Sequence, residues 1–68
     1  MDFKKGDRVK VINKDLARKV MAMVSNGDTG EVLQDYGDGF VEVLWDNKRY
    51  PNWDIQIAAL AKLANENG

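Results

Sequence analysis

The chain has 68 residues, 44% of them hydrophobic and 31% charged, with a formal net charge of -1. That is material for one domain, near the smallest size at which a single apolar core sustains a fold. It contains no Cys and no His, which removes disulfides, thiolate and imidazole metal ligands, and any Cys or His nucleophile or base; we therefore expect binding rather than catalysis, with no cofactor and no metal.

Charge is distributed unevenly. Residues 1–20 hold seven cations (Lys4, Lys5, Arg8, Lys10, Lys14, Arg18 and Lys19) against three carboxylates, whereas the remainder holds three cations against eight. Such an arm could face phosphate, but the pI near 5.2 is far below that of domains that hold nucleic acid by bulk charge. The opening residues lack the apolar stretch of a signal peptide, and no run approaches the roughly 18 apolar residues of a membrane span. A soluble, cytoplasmic protein without membrane contact is expected.

Taken in chain order, Gly6-Asp7 supplies a turn, and Arg8-Val9-Lys10-Val11-Ile12-Asn13 alternates charged and β-branched residues, predicting a first strand with Val9 and Val11 inward. Asn13 or Asp15 is placed to cap a helix. Over about 15–24, Leu16, Val20 and Met23 recur at helical spacing beside a second row of Ala17, Met21 and Val24, which predicts a helical insert that is apolar around much of its circumference. Ser25-Asn26-Gly27-Asp28 is a turn cluster, and residues 29–36 read as a second strand. Gly37-Asp38-Gly39 connects it to Phe40-Val41-Glu42-Val43-Leu44-Trp45-Asp46, a third strand with Val41, Val43 and Trp45 on one face, the pair forming a hairpin. Gly27, Gly30, Gly37 and Gly39 are expected as turn or bulge residues with positive φ. Arg49-Tyr50 begins a short fourth strand that Pro51 ends. From about 56 to 64, Ile57, Leu60, Ala61 and Ala64 fall at helical spacing and predict a C-terminal helix.

The expected fold is mainly β: a single domain over 1–68, with four to five antiparallel strands closing into a small barrel and two helical additions. Two segments carry a resemblance. Gly6-Asp7-Arg8-Val9-Lys10-Val11 and Asn26-Gly27-Asp28-Thr29-Gly30-Glu31-Val32 resemble the opening of KOW-type and related SH3-like domains, and Val41-Glu42-Val43-Leu44-Trp45-Asp46-Asn47 is similar to a strand and turn of Mind-bomb-type SH3-like repeats. The resemblance covers residues 4–57 and implies an SH3-like barrel; through the KOW family it implies RNA, ribosomal or transcription partners. The chain departs from both in its apolar insert and C-terminal helix. It is also similar in size and in its Gly6-Asp7-Arg8-Val9 segment to plasmid-borne type II dihydrofolate reductases. Ile55-Gln56-Ile57 superficially resembles the active-site strand of those enzymes, but Ala58 stands where they carry tyrosine.

The acidic residues Asp35, Asp38, Glu42, Asp46 and Asp54 match no metal-loop spacing and read as turn formers and solvated strand faces. The glycines precede no Lys-Ser/Thr pair and form no phosphate loop. Five of the six aromatics lie within residues 36–53. Trp45 belongs with the core valines, whereas Tyr36, Phe40, Tyr50 and Trp53 are candidate protein contacts, as aromatics commonly are. Met21 and Met23 of the insert are candidates too, for a protein partner or for self-association. The first expectation is a non-catalytic protein-binding regulator or inhibitor, of the compact kind that phages and mobile elements encode. The alternative is a KOW-like module that binds nucleic acid through the seven cations of residues 1–20.

Overall fold

A computed structural model of the chain describes residues 3–63. The strands follow the two-residue alternation: β1 (Arg8–Val11), β2 (Thr29–Asp35), β3 (Phe40–Trp45), β4 (Asp54–Gln56) and β5 (Leu60–Lys62) form one antiparallel sheet in the order β4-β3-β2-β1-β5. A short helix, α1 (Lys14–Arg18), follows β1, and a single 3₁₀ turn (Ile57–Ala59) joins β4 to β5.

The strands bury alternate residues on one face, with Phe40 and Leu44 of β3 left to the other. Val9 and Val11, Val32, Val41, Val43 and Trp45, Ile55, and Leu60 are buried in a single cluster with Phe3, Ala17, Ala22, Val24 and Ala59. No buried residue is polar or charged among those described. Full burial of one such side chain is worth about 1.5–3 kcal/mol, so this face holds the domain together. The opposite face carries cross-strand rows: Arg8 lies opposite Glu31 and Glu31 opposite Leu44, while Gln34 lies opposite Glu42 and Glu42 opposite Asp54. Between these rows the β2–β3 register shifts at Leu33, the extra residue of a bulge, which increases local twist and bends the sheet over its core.

The strands form one open sheet: β4 and β5 stand at its two edges, and no ladder joins them. The helical insert expected over 15–24 is shorter. Asn13 caps α1, its Oδ1 accepting from Leu16 N–H at 3.4 Å, and the helix stops after Arg18. Ala22 N–H then donates to Ala17 O at 3.1 Å and Met21 N–H to Arg18 O at 3.0 Å, the paired bonds of a Schellman turn. Beyond the turn the chain is extended, so Ala22 and Val24 point inward while Met21 and Met23 point out. Each expected row is split: Met21 is exposed where its row-mates Ala17 and Val24 are buried, and Met23 is exposed where Leu16 and Val20 pack on the core.

The fourth strand lies beyond Pro51 rather than before it. Arg49-Tyr50 sit in a turn closed by Asn47, which accepts from Arg49 N–H at 2.9 Å through Oδ1 and from Tyr50 N–H at 3.0 Å through its carbonyl. Ile55 and Gln56 belong to β4, with Gln56 Nε2 donating to Leu16 O at 3.4 Å. The C-terminal helix is also replaced. Leu60, Ala61 and Lys62 pair with Val11, Lys10 and Val9, and Ile12 N–H donates to Ala59 O at 2.9 Å. Helix propensity is a weak preference, and here it yields to the strand-pairing groups that β1 would otherwise leave open. Ala64, the end of the expected helix, lies outside the described residues.

Gly37 (φ +81°) and Gly39 (φ +93°) turn the β2–β3 hairpin as expected. Gly30 does not share their conformation. It is a buried β2 residue pressed against β3, where an added Cβ would stand 2.6 Å from Val43 Cγ1 and 2.8 Å from the Leu44 carbonyl oxygen.

Candidate interaction surfaces

The aromatics do not form one group. Tyr50 meets the buried Trp45 edge-on, ring centroids 6.5 Å apart at 76°, and Trp53 lies 5.2 Å from Tyr50. Both Tyr50 and Trp53 pack on the core, and Tyr50 Oη donates to Asp28 Oδ2 at 3.0 Å. That bond to a carboxylate, the first cause, raises the Tyr50 pKa above its ordinary value. Phe40 is half-buried in β3, and the exposed Tyr36 at the hairpin donates to Asp54 Oδ1 at 3.0 Å. Desolvation, then this bond, raises the Tyr36 pKa. Tyr36 and Phe40 thus flank the start of β3, whereas Tyr50 sits by its end.

A cleft of about 430 Å³ opens on the outer face beside the loop between β3 and β4. Arg8, Glu31 and Leu44 line its floor as one cross-strand row, with Asp46, Lys48 and Asn52 at its side. Of its two cations, Arg8 is already engaged. Arg8 reaches across β2 to hold Asp46 through both guanidinium Nη atoms, one at 3.0 Å, and Thr29 Oγ1 donates to the same carboxylate at 2.5 Å. Trp45 also lines the cleft, and its indole Nε1 is buried without a hydrogen-bond partner.

The Arg8 bond, followed by that from Thr29, holds the Asp46 carboxyl below its usual pKa. Asp7 is lowered likewise, first by the Lys4 backbone N–H at 2.8 Å, then, against desolvation, by Lys62 at 3.1 Å. A carboxyl whose folded pKa is depressed contributes stability above its unfolded pKa of about 3.9 and loses it as pH falls through the folded value. The contribution of these two groups is therefore expected to be flat from neutrality to about pH 5 and to fall below about pH 4. Both pairs are substantially exposed, so the loss is under about 1 kcal/mol each. Urea unfolding at neutral and acidic pH checks this: Asp46→Asn is expected to start less stable and to lose less on acidification than the unaltered chain.

The most exposed apolar side chains belong to the extended segment after α1. Met21 is 77% exposed and Met23 57%, and Ile12, just after β1, is 53% exposed. Ile12 was not singled out from the sequence, yet the alternation that sends Val9 and Val11 inward sends Ile12 outward. Met21 is also the one non-glycine residue with positive φ (+68°) among those described. This spur leaves α1 at Ala17 and Arg18 and is tied back to it where Lys14 N–H donates to Asn26 Oδ1 at 2.8 Å.

The seven cations divide into separate groups. Lys4 and Lys5 precede β1, Lys10 and Arg8 lie on the outer face with Arg8 bound to Asp46, and Lys14, Arg18 and Lys19 belong to α1 and its end. No three carboxylates are gathered as a metal site among the described residues, and no helix there is long and apolar enough to cross a membrane.

The chain matches no protein-family model, no curated protein and no solved structure. Its function must therefore be read from its own surfaces.

Proposed function

We propose that the chain is a non-catalytic SH3-like module that binds another protein, as a small regulator or inhibitor, using the spur of residues 20–24. An antiparallel sheet ending in a 3₁₀ turn and a last strand beside the first is in keeping with the SH3-like resemblance of its Gly-Asp-Arg-Val and Gly-Asp-Thr-Gly segments. Fold alone does not assign a ligand, so the functional reading rests on one residue.

Met21 occupies the position of a Schellman turn that is ordinarily glycine, with φ +68° and its side chain 77% exposed. A left-handed backbone costs a non-glycine residue about 1 kcal/mol, and an exposed thioether chain recovers none of it within the monomer. Folding alone favours glycine here; a flexible apolar side chain is what a protein contact uses. A nucleic-acid reading gains less, because the seven cations are divided and thioethers do not bind phosphate.

Met21→Gly is expected to raise stability by about 1 kcal/mol, a melting shift of about 4–8 °C for a domain this small, while weakening partner capture. Affinity capture from cell extract, quantified for the unaltered chain, Met21→Gly and Met21→Ser/Met23→Ser, should show partners lost from both variants. Sedimentation equilibrium separates a second copy from a different protein. Capture indifferent to both variants, from a chain that is monomeric at high concentration, would overturn the proposal.

A further inference from the structure

We infer that the segment docking on the spur is acidic as well as apolar: a stretch of partner protein in which carboxylates flank a short hydrophobic run. The inference rests on the protein-binding reading above and adds the charge of the partner.

Its basis is what surrounds the exposed methionines. Arg18 and Lys19 belong to the turn that Met21 N–H closes on the Arg18 carbonyl, and the Lys14 backbone N–H bonds Asn26 Oδ1 just past the spur. All three cations are exposed, and none makes an ion pair among the described residues. Asp15 is the sole carboxylate on α1. The nearest other acid along the chain, Asp28, is occupied by Ser25 N–H at 2.8 Å and by Tyr50 Oη. Exposed methionines thus follow a locally basic stretch, unpaired among the described residues, on a chain whose remaining residues are net acidic. Complementary potential at such a stretch selects partners and speeds their encounter more than it adds affinity.

The same stretch argues against pairing of two spurs about a twofold axis, because an isologous interface would bring Lys14, Arg18 and Lys19 toward their own copies. It also separates the proposal from a nucleic acid, which would use the cations but has no use for Met21 and Met23; an anionic bilayer would engage both and is distinguished by the test.

The test is a display selection of random peptides against the full chain at about 50 mM salt, where surface charges are weakly screened. Three baits are used: the unaltered chain, Met21→Ser/Met23→Ser, and Lys14→Glu/Arg18→Glu/Lys19→Glu. Lys14→Gln/Arg18→Gln/Lys19→Gln stands in for the last if its circular dichroism shows misfolding. The unaltered chain should enrich peptides combining Asp or Glu with Leu, Ile or Phe. Synthesised peptides from that pool should bind the charge-reversed chain about tenfold or more weakly, and the charge-reversed chain should itself enrich Lys and Arg.

Apolar pools without acidic bias that still need Met21 and Met23 would overturn this inference and leave the protein-binding reading standing. No enriched pool, or pools indifferent to Met21 and Met23, would overturn both. Phosphatidylcholine vesicles with about 25% phosphatidylserine and single-stranded DNA serve as parallel probes. If either binds more tightly than the best peptide and depends on the same cations, the assignment passes to that ligand and the inference falls.

Discussion

Gly30→Ala is expected to lower the stability of the domain by about 3 kcal/mol, the upper range for forcing atoms into a packed interior. The new methyl would stand 2.8 Å from the Leu44 carbonyl oxygen and 3.1 Å from Trp45 Cα, both backbone atoms of β3, besides 2.6 Å from Val43 Cγ1. A side chain could rotate away; a paired backbone cannot without loosening the β2–β3 ladder. A chain of 68 residues has about 3–10 kcal/mol of stability in total, so the variant should unfold at low urea, and Gly30→Val should not fold. Gly27→Ala is the control. Its Cβ meets nothing within 4 Å but sits at φ +93°, so its cost is the milder left-handed penalty of about 1 kcal/mol. Equal losses at Gly27 and Gly30 would show that close approach of β2 to β3 is not what requires Gly30.

Trp45 carries the second large effect. It is 3% exposed within the valine cluster, with Tyr50 against its edge. Trp45→Ala is expected to cost about 3–5 kcal/mol, the usual result of emptying a large aromatic site, and to leave little folded protein at room temperature. Trp45→Phe should behave differently. It keeps an aromatic ring against Tyr50 and removes an indole N–H that is buried with no partner, a condition that itself costs about 1–3 kcal/mol. The loss of volume and the relief of the orphaned donor oppose one another, so a net cost under about 1.5 kcal/mol is expected. Urea unfolding followed by circular dichroism measures both. Should phenylalanine prove as damaging as alanine, the indole N–H is contributing a bond and the reasoning about Trp45 fails.

The strands were legible wherever alternation ran for several residues. Val9 and Val11 in β1, and Val41, Val43 and Trp45 in β3, are inward as their spacing predicts, since a two-residue period over four or more positions has little competition. The additions were misread because short apolar runs fit two periods. Val20-Met21-Ala22-Met23-Val24 satisfies helical spacing and alternation equally, and the Schellman turn that decides between them has Met21 where glycine would have announced it. Leu60-Ala61-Lys62 is too short to show its period, and only the unpaired side of β1, remote in sequence, makes it a strand. Of the candidate contacts, Met21 and Met23 are exposed as a contact site requires, whereas Tyr50 and Trp53 are partly drawn into the core. Gly30 shows the limit from the other side: its residue type signalled a special position, but the reason, a neighbouring backbone, is not written in the local sequence.

The order β4-β3-β2-β1-β5 has a consequence for how the molecule is made. On a growing polypeptide, β1 is synthesised first, yet one of its two ladders needs Leu60–Lys62. Until that segment leaves the ribosome, the nascent chain carries an open β-edge at Val9 and Val11 and an incomplete core, while the β2–β3 hairpin can already close. Pairings so distant in sequence slow folding relative to local ones. Translation therefore sets a window in which the exposed β1 edge is vulnerable to pairing with other chains, and stalled chains released before Lys62 should aggregate where the finished domain does not.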